Sequence, residues 1–172
     1  RPVSSAASDV YKRQHYDFLG AVENFFSKCA PAMFMGWSNL NFDRRMFHFN
    51  FFKGNRYPYA THSSPNQEHD GLHIARAAQT LNSETLKTEL TQAGNPSLAL
   101  ESLSRMQGFD TSASHTAYVD AQNSLKVLRI IKDKHKENWE TFLKTSTKTS
   151  VETFLKSEGI YSIFENVKGR NM

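Results

Sequence analysis

The stretch Gly36-Trp37-Ser38-Asn39-Leu40-Asn41-Phe42-Asp43 decides how this chain reads. It grows out of residues 32–37, a short apolar run with the length of a buried strand. It then passes into residues 39–52, which are rich in Phe and Arg and read as a helix. An acid, Asp43, thus follows the strand. On the N-terminal side, residues 16–28 place Phe18, Leu19, Val22, Phe25 and Phe26 at spacings of three and four, an amphipathic helix that Pro31 stops. Residues 1–14 do not read as fold. Residues 9–14 look like a translated adapter end, so the segment is set aside as a scar and the natural gene is expected to extend upstream.

On the C-terminal side, residues 54–67 hold Gly, Pro, Asn and Ser and read as a loop. Residues 71–81 are apolar at Leu72, Ile74, Ala75, Ala78 and Leu81, mostly helix, opened by a brief strand near residues 69–72. A polar loop over 82–96 leads to a short helix at 98–107, with Leu100 and Leu103 inward and Gly108 as its C-cap. The long helix predicted from about 116 to 134 would bury Ala121, Leu125, Leu128 and Ile131. One or two helices follow over 139–155, and residues 161–167 read as a strand.

The chain has 172 residues, enough for one domain with a real core, and 22% of them are charged. Its mean hydropathy is −0.59, and no apolar run reaches the roughly 18 residues of a membrane span. No membrane partner and a cytoplasmic location are therefore expected, with the monomer as the expected state. Cys29 is the only cysteine, which excludes an internal disulfide and a cysteine-rich zinc site. The formal net charge of +4 suits a polyanion. Thirteen Phe, six Tyr and two Trp alongside those cations suit stacking on single strands, although core packing accounts for most rings of a folded domain.

Three side chains carry the chemistry. Asp43 follows the first strand, Asp120 lies in the long helix, and His115 stands ahead of it in Ser114-His115-Thr116-Ala117-Tyr118-Val119-Asp120. Five residues on a helix turn about 500°, which leaves His115 and Asp120 roughly 140° apart unless His115 belongs to the preceding loop. Residues 111–114 offer the caps that would put it there. Carboxylates suit Mg²⁺, and two such ions can hold the attacking and leaving oxygens of a phosphodiester. A nearby His, with a free pKa near neutrality, suits removal of a proton from water.

The paired motifs resemble those of the DEDDh exonucleases. Asn39-Leu40-Asn41-Phe42-Asp43 after a strand is similar to their second motif, and His115 with Asp120 on a later helix is similar to their third. The intervening text is similar to the exonuclease I branch: the aromatic residues 47–52, Tyr57-Pro58-Tyr59-Ala60, His69-Asp70-Gly71-Leu72, and Ser97-Leu98-Ala99-Leu100-Glu101-Ser102-Leu103 ahead of Gly108-Phe109. The resemblance implies an α/β, ribonuclease H-like fold, here reduced to one or two central strands and mostly helix. It implies that residues 15–135 are the later part of an exonuclease domain and that 136–172 form a linker and the start of an SH3-like domain. The implied activity is 3′-to-5′ hydrolysis of single-stranded DNA to 5′-mononucleotides with two Mg²⁺ ions, and single-stranded DNA-binding protein is an implied partner of the whole enzyme. Asp43 and Asp120 would bind metal and His115 would be the base. The family's first motif, Asp-x-Glu, does not occur in this sequence, so the chain is expected to be inactive by itself.

Further residues have two readings each. Asn39 would orient backbone or DNA, or cap the next helix. Arg44, Arg45, Lys53 and Arg56 would line a phosphate track, or form a solvated helix face. Phe42, Met33, Met35 and Met46 read as core. Among His48, His62, His69 and His73, only His69 and His73 have helical spacing, and the Gly between them and the missing Glu argue against zinc. Two other classes of function stand beside the exonuclease I reading: another DEDDh exonuclease of proofreading or oligoribonuclease type, and a nucleic-acid-binding module without catalysis.

Overall fold

In the computed structural model, which describes residues 3–111, 116–144 and 147–157 (for residues 3–13, the backbone only), the decisive stretch leaves a strand and enters a helix as its sequence predicts. The elements run α1 (Val3–Cys29), β1 (Met33–Gly36), α2 (Asp43–Lys53), β2 (Gln67–Asp70), α3 (Gly71–Leu81), α4 (Leu100–Met106), α5 (Ala117–Lys134), α6 (Lys136–Lys144) and α7 (Lys148–Ser157). The strands β1 and β2 pair as a parallel two-stranded sheet. The architecture is therefore α/β and mostly helical, with two strands among the described residues. The chain forms two compact units, Arg1–Phe34 with Asn39–Glu68, and Met35–Ser38 with His69–Met172.

In the first unit, the core is Leu19 and Phe26 of α1 and Phe51 of α2, flanked by Val22, Phe34 and Ala60. Phe26 meets Phe34 edge-on at 4.9 Å between ring centroids and stacks on Phe51 at 6.2 Å, geometries that suit the quadrupoles of aromatic rings. The inward stripe of α1 is Leu19, Val22 and Phe26. Phe18 and Phe25, expected on the same face, each lie one residue, about 100°, away from it and are exposed. The helical backbone of α1 also runs on through residues 3–14, where no structure was expected. The helix α2 opens on Asp43 and closes on Lys53, charges that match the helix dipole at both ends. It buries only Phe51.

In the second unit, α3, α4 and α6 each pack against α5. Ile74, Ala75, Ala78, Leu86, Leu103, Val127, Leu128, Ile131 and Phe142 form its core. Asp70 caps α3, its side chain accepting from the Leu72 N–H at 2.9 Å. Gly71 is required by close approach: a Cβ there would sit 3.0 Å from the Gly36 carbonyl oxygen and 3.2 Å from the Trp37 ring. Gly108, at φ +76, follows the Gln107 C-cap of α4 in the left-handed conformation that glycine adopts without strain.

The register of α5 differs from the sequence expectation. Leu128 and Ile131 are buried, but Ala121 and Leu125 are exposed, and Asn123, Ser124 and Val127 take the inward places. Asn123 Nδ2 donates to the Asp110 carbonyl (3.2 Å) and Ser124 Oγ to the Asp120 carbonyl (2.7 Å). The two polar groups are thus satisfied in place and cost little to bury. Beyond Lys134 the described chain is helical in α6 and α7; the strand expected at 161–167 lies outside the described residues.

Candidate active site

The geometry starts from β2, whose sequence is Gln67-Glu68-His69-Asp70 and whose last three residues are buried. Glu68 serves the first unit. Its Oε1 accepts from Asn39 Nδ2 at 3.1 Å and its Oε2 from Arg44 Nε at 2.9 Å. Thr61 Oγ1 lies 3.4 Å and His62 Nδ1 3.6 Å from the same Oε2. Asn39 O in turn accepts from the Arg44 N–H at 2.9 Å. Residues 39 and 44 are thereby tied to each other and to one buried carboxylate, which fixes the turn that delivers Asp43 to the first position of α2. The His62 imidazole is held below its usual pKa, by burial first and by the Arg44 charge second, with Glu68 opposing.

Asp70 serves the second unit. Its carboxylate is fully buried, and the oxygen that caps α3 also accepts from the Ser38 N–H at 2.8 Å. Ser38 holds φ +59, a conformation few non-glycine residues adopt. Next to it the Trp37 indole N–H donates to the Leu98 carbonyl at 3.1 Å. The His69 ring accepts at Nδ1 from the Asp70 N–H and reaches the Phe142 carbonyl from Nε2, both at 2.8 Å. These partners assign the proton to Nε2, and burial holds the ring neutral with its pKa lowered. Both nitrogens being engaged, His69 is no zinc ligand.

The sequence-predicted site residues fall as follows. Asp43 is exposed at the head of α2, in the first unit. Asp120 is half-buried in the first turn of α5, in the second unit, its N–H donating to the Thr116 carbonyl at 3.0 Å. His115 lies outside the described residues. Among the four candidate phosphate contacts, Arg44 is bound to Glu68, and Arg56 pairs with Glu23, donates to the Tyr16 carbonyl and lies over the Tyr16 ring. Arg45 and Lys53 are exposed, with Lys53 Nζ 5.9 Å from the Phe49 ring centroid. Asn39 neither caps α2 nor faces solvent; its amide belongs to Glu68. Phe42 and Met46, expected in the core, are instead 67% and 48% exposed, and Phe51 is the only residue of α2 that is buried.

Among the described residues, no group of three or more His, Cys, Asp or Glu stands close enough to hold a metal ion. The described carboxylates do not fit a magnesium centre by themselves. Glu68 is the residue that sequence reasoning missed. It sits in a strand of four polar residues, where hydropathy gives no sign of burial.

The α/β fold is similar to that of E. coli exonuclease I, and the sequence is similar to curated exodeoxyribonucleases I. No protein-family profile matches the sequence. The chain is 29% identical to exodeoxyribonuclease I of Escherichia coli K12 over 120 residues, 67% of this chain and 24% of that one. It is 25% identical to the Haemophilus influenzae enzyme over 119 residues, 69% of this chain and 25% of the relative. It thus spans about a quarter of the length of these relatives. The structure of E. coli exonuclease I with a dA16 oligonucleotide superposes with a TM-score of 0.74 at 20% identity, covering 81% of this chain and 30% of the other. The ExoI/SSB-Ct complex superposes with a TM-score of 0.72.

Proposed function

We propose that this chain is the part of a 3′-to-5′ exonuclease that carries its second and third acidic motifs, and that the whole protein releases 5′-mononucleotides from single-stranded DNA. What supports the reading is the agreement between similarity and placement. The chain is similar in sequence and fold to exodeoxyribonuclease I, and its motif acids stand at helix starts, Asp43 opening α2 and Asp120 in the first turn of α5. Asn39, Arg44 and Glu68 act as positioning residues that hold the turn before Asp43. His115 is assigned by its motif as the base that takes a proton from the attacking water. Asp43 and Asp120 are the carboxylates offered to Mg²⁺, and with no Asp-x-Glu beside them the 172-residue chain should hold the ion poorly and turn over no substrate. Single-stranded DNA-binding protein is a partner of the whole enzyme in this reading, in keeping with the structure of an ExoI/SSB-Ct complex.

The test is fluorescence anisotropy of a labelled single-stranded oligonucleotide against its duplex in EDTA, followed by a hydrolysis assay in Mg²⁺. Preferential single-strand binding without nucleotide release is the expected result. Absence of binding, or a preference for duplex, overturns the reading; release of 5′-mononucleotides overturns the requirement for the missing motif.

A further inference from the structure

The second unit contains a cleft of about 360 Å³ whose walls include Trp37, Ser38, Leu72, Arg76, Leu98 and Ala99. Its shape follows from the local structure already described. Leu72 and Arg76 stand four residues apart on α3 and so share one face of that helix. The opposite wall is the segment before α4, and the bond from the Trp37 indole to the Leu98 carbonyl fixes the orientation of the ring. Ser38, at φ +59 with its N–H donating to the buried Asp70, is a further lining residue. Backbone held in a sparsely populated conformation by a buried group is a feature of ligand-binding sites.

The electrostatics of the cleft are one-sided. Arg76 is half-buried on α3, and among the described residues its guanidinium makes neither an ion pair nor a hydrogen bond. The other half-buried arginines among the described residues are paired: Arg44 with Glu68 and Arg56 with Glu23. A partly desolvated guanidinium left without an acid calls for an anion from outside, and its planar fork matches a phosphate. Apart from Ser38 the remaining lining side chains are apolar and include the Trp37 indole, a ring type that suits stacking on a flat base. Pockets for small ligands run from about 300 to 1,000 Å³, so this one has room for one nucleotide and no more.

We propose that the cleft holds a single nucleotide of a bound strand, with its phosphate at the Arg76 guanidinium and its base between Trp37 and the Leu72–Leu98 side. This rests on the nuclease reading for the kind of ligand, and it assigns Arg76, Trp37 and Leu72 a part in binding that the two acidic motifs do not cover. The site is built within one unit from residues 37–38, 72–76 and 96–99, and it requires neither Asp43 nor any metal.

The test uses Trp37 as its own reporter. The chain has two tryptophans, and Trp139→Phe leaves Trp37 alone. Titration of that variant with deoxyadenosine 5′-monophosphate should quench the tryptophan emission to saturation. Arg76→Gln should weaken this binding about tenfold or more, the loss of a charge-assisted contact. Ala99→Phe, at an exposed position on the rim, should block the cleft without adding a second tryptophan, while circular dichroism shows the fold intact. Inorganic phosphate and deoxyadenosine should each compete at least about tenfold more weakly than the nucleotide, since each satisfies one half of the site. Equal competition by phosphate, or quenching unchanged in both Arg76→Gln and Ala99→Phe, overturns the proposal. If the chain binds a single-stranded oligonucleotide and the mononucleotide neither quenches nor competes, the pocket assignment fails while the nuclease reading stands. If no strand binds at all, both fail.

Discussion

Replacing Asp70 by Ala tests most directly the tie between Ser38, just after β1, and the start of α3. The fully buried Asp70 carboxylate uses one oxygen for two backbone donors, the Leu72 N–H at 2.9 Å and the Ser38 N–H at 2.8 Å. Loss of an N-cap costs about 1 kcal/mol. Leaving the half-buried Ser38 N–H without its charged acceptor costs about 2 kcal/mol more. The sum, about 3 kcal/mol, corresponds to a fall in Tm of roughly 6–12 °C for a chain of this length, at about 2–4 °C per kcal/mol. Asp70→Asn keeps an acceptor of the same shape without the charge and should lose about half as much. The assay is thermal unfolding followed by far-UV circular dichroism, with Trp37 fluorescence as a local probe because Ser38 is its neighbour. An Asp70→Ala protein that melts within about 1 °C of the wild type refutes the reasoning, as does one whose loss is matched by Asp70→Asn.

Three other expectations follow from the same contacts. A double-mutant cycle with Arg44→Ala and Glu68→Ala should give a coupling energy of about 1–2 kcal/mol, below the range of a fully buried pair because the Arg44 side chain is about a third exposed; additivity of the two changes would show that the turn before Asp43 is not held this way. The depressed pKa of buried His69 means that, as pH falls below the ordinary value of about 6.5, the unfolded chain takes up a proton that the folded one refuses. Stability is then full above that pH and declines below it, and His69→Gln should flatten the part of the slope that His69 contributes, as read from urea unfolding between pH 7.5 and 5. Arg45→Ala and Lys53→Ala should each lower the slope of log affinity for single-stranded DNA against log salt by about 0.7, whereas Arg56→Ala, whose guanidinium belongs to Glu23 and Tyr16, should leave that slope unchanged.

Helices were legible in the sequence where apolar spacing was regular and where caps were written in it. The long helix α5 starts within a residue of its expected place, and α3 has the inward residues Ile74, Ala75 and Ala78 that its spacing predicts. The rotation of α5 about its own axis was not legible. Asn123 and Ser124 look like surface residues until their partners, the carbonyls of Asp110 and Asp120, are known. Aromatic residues misled in the opposite direction. Phe42, Phe49 and Phe52 read as core by composition but are exposed, because α2 is apolar on several sides and has only one side to bury. For the candidate site the sequence offers types and order, Asp43 before His115 before Asp120, and no geometry, which depends on long-range partners.

The motif asparagine shows why that geometry was hidden. Asn39 has the appearance of a ligand-contacting or helix-capping residue, yet its amide donates to Glu68, 29 residues away. Glu68 and Asp70 are two apart on β2 and so share one side of the strand. Each takes the residues just after β1 as partners: Glu68 binds Asn39 and Arg44, and Asp70 binds Ser38. A polar segment following a strand would otherwise be free to sample many conformations, at a backbone entropy of about 1–2 kcal/mol per residue fixed. Two buried acids on the neighbouring strand fix it instead, through charge-assisted bonds at 2.8–3.1 Å. The acid at the end of that segment, Asp43, can therefore remain exposed and still be held in place. On this argument the buried carboxylates of β2 are structural, and the proposed role in chemistry falls to the exposed Asp43. Glu68→Gln should accordingly disturb the position of Asp43 without removing any reacting group.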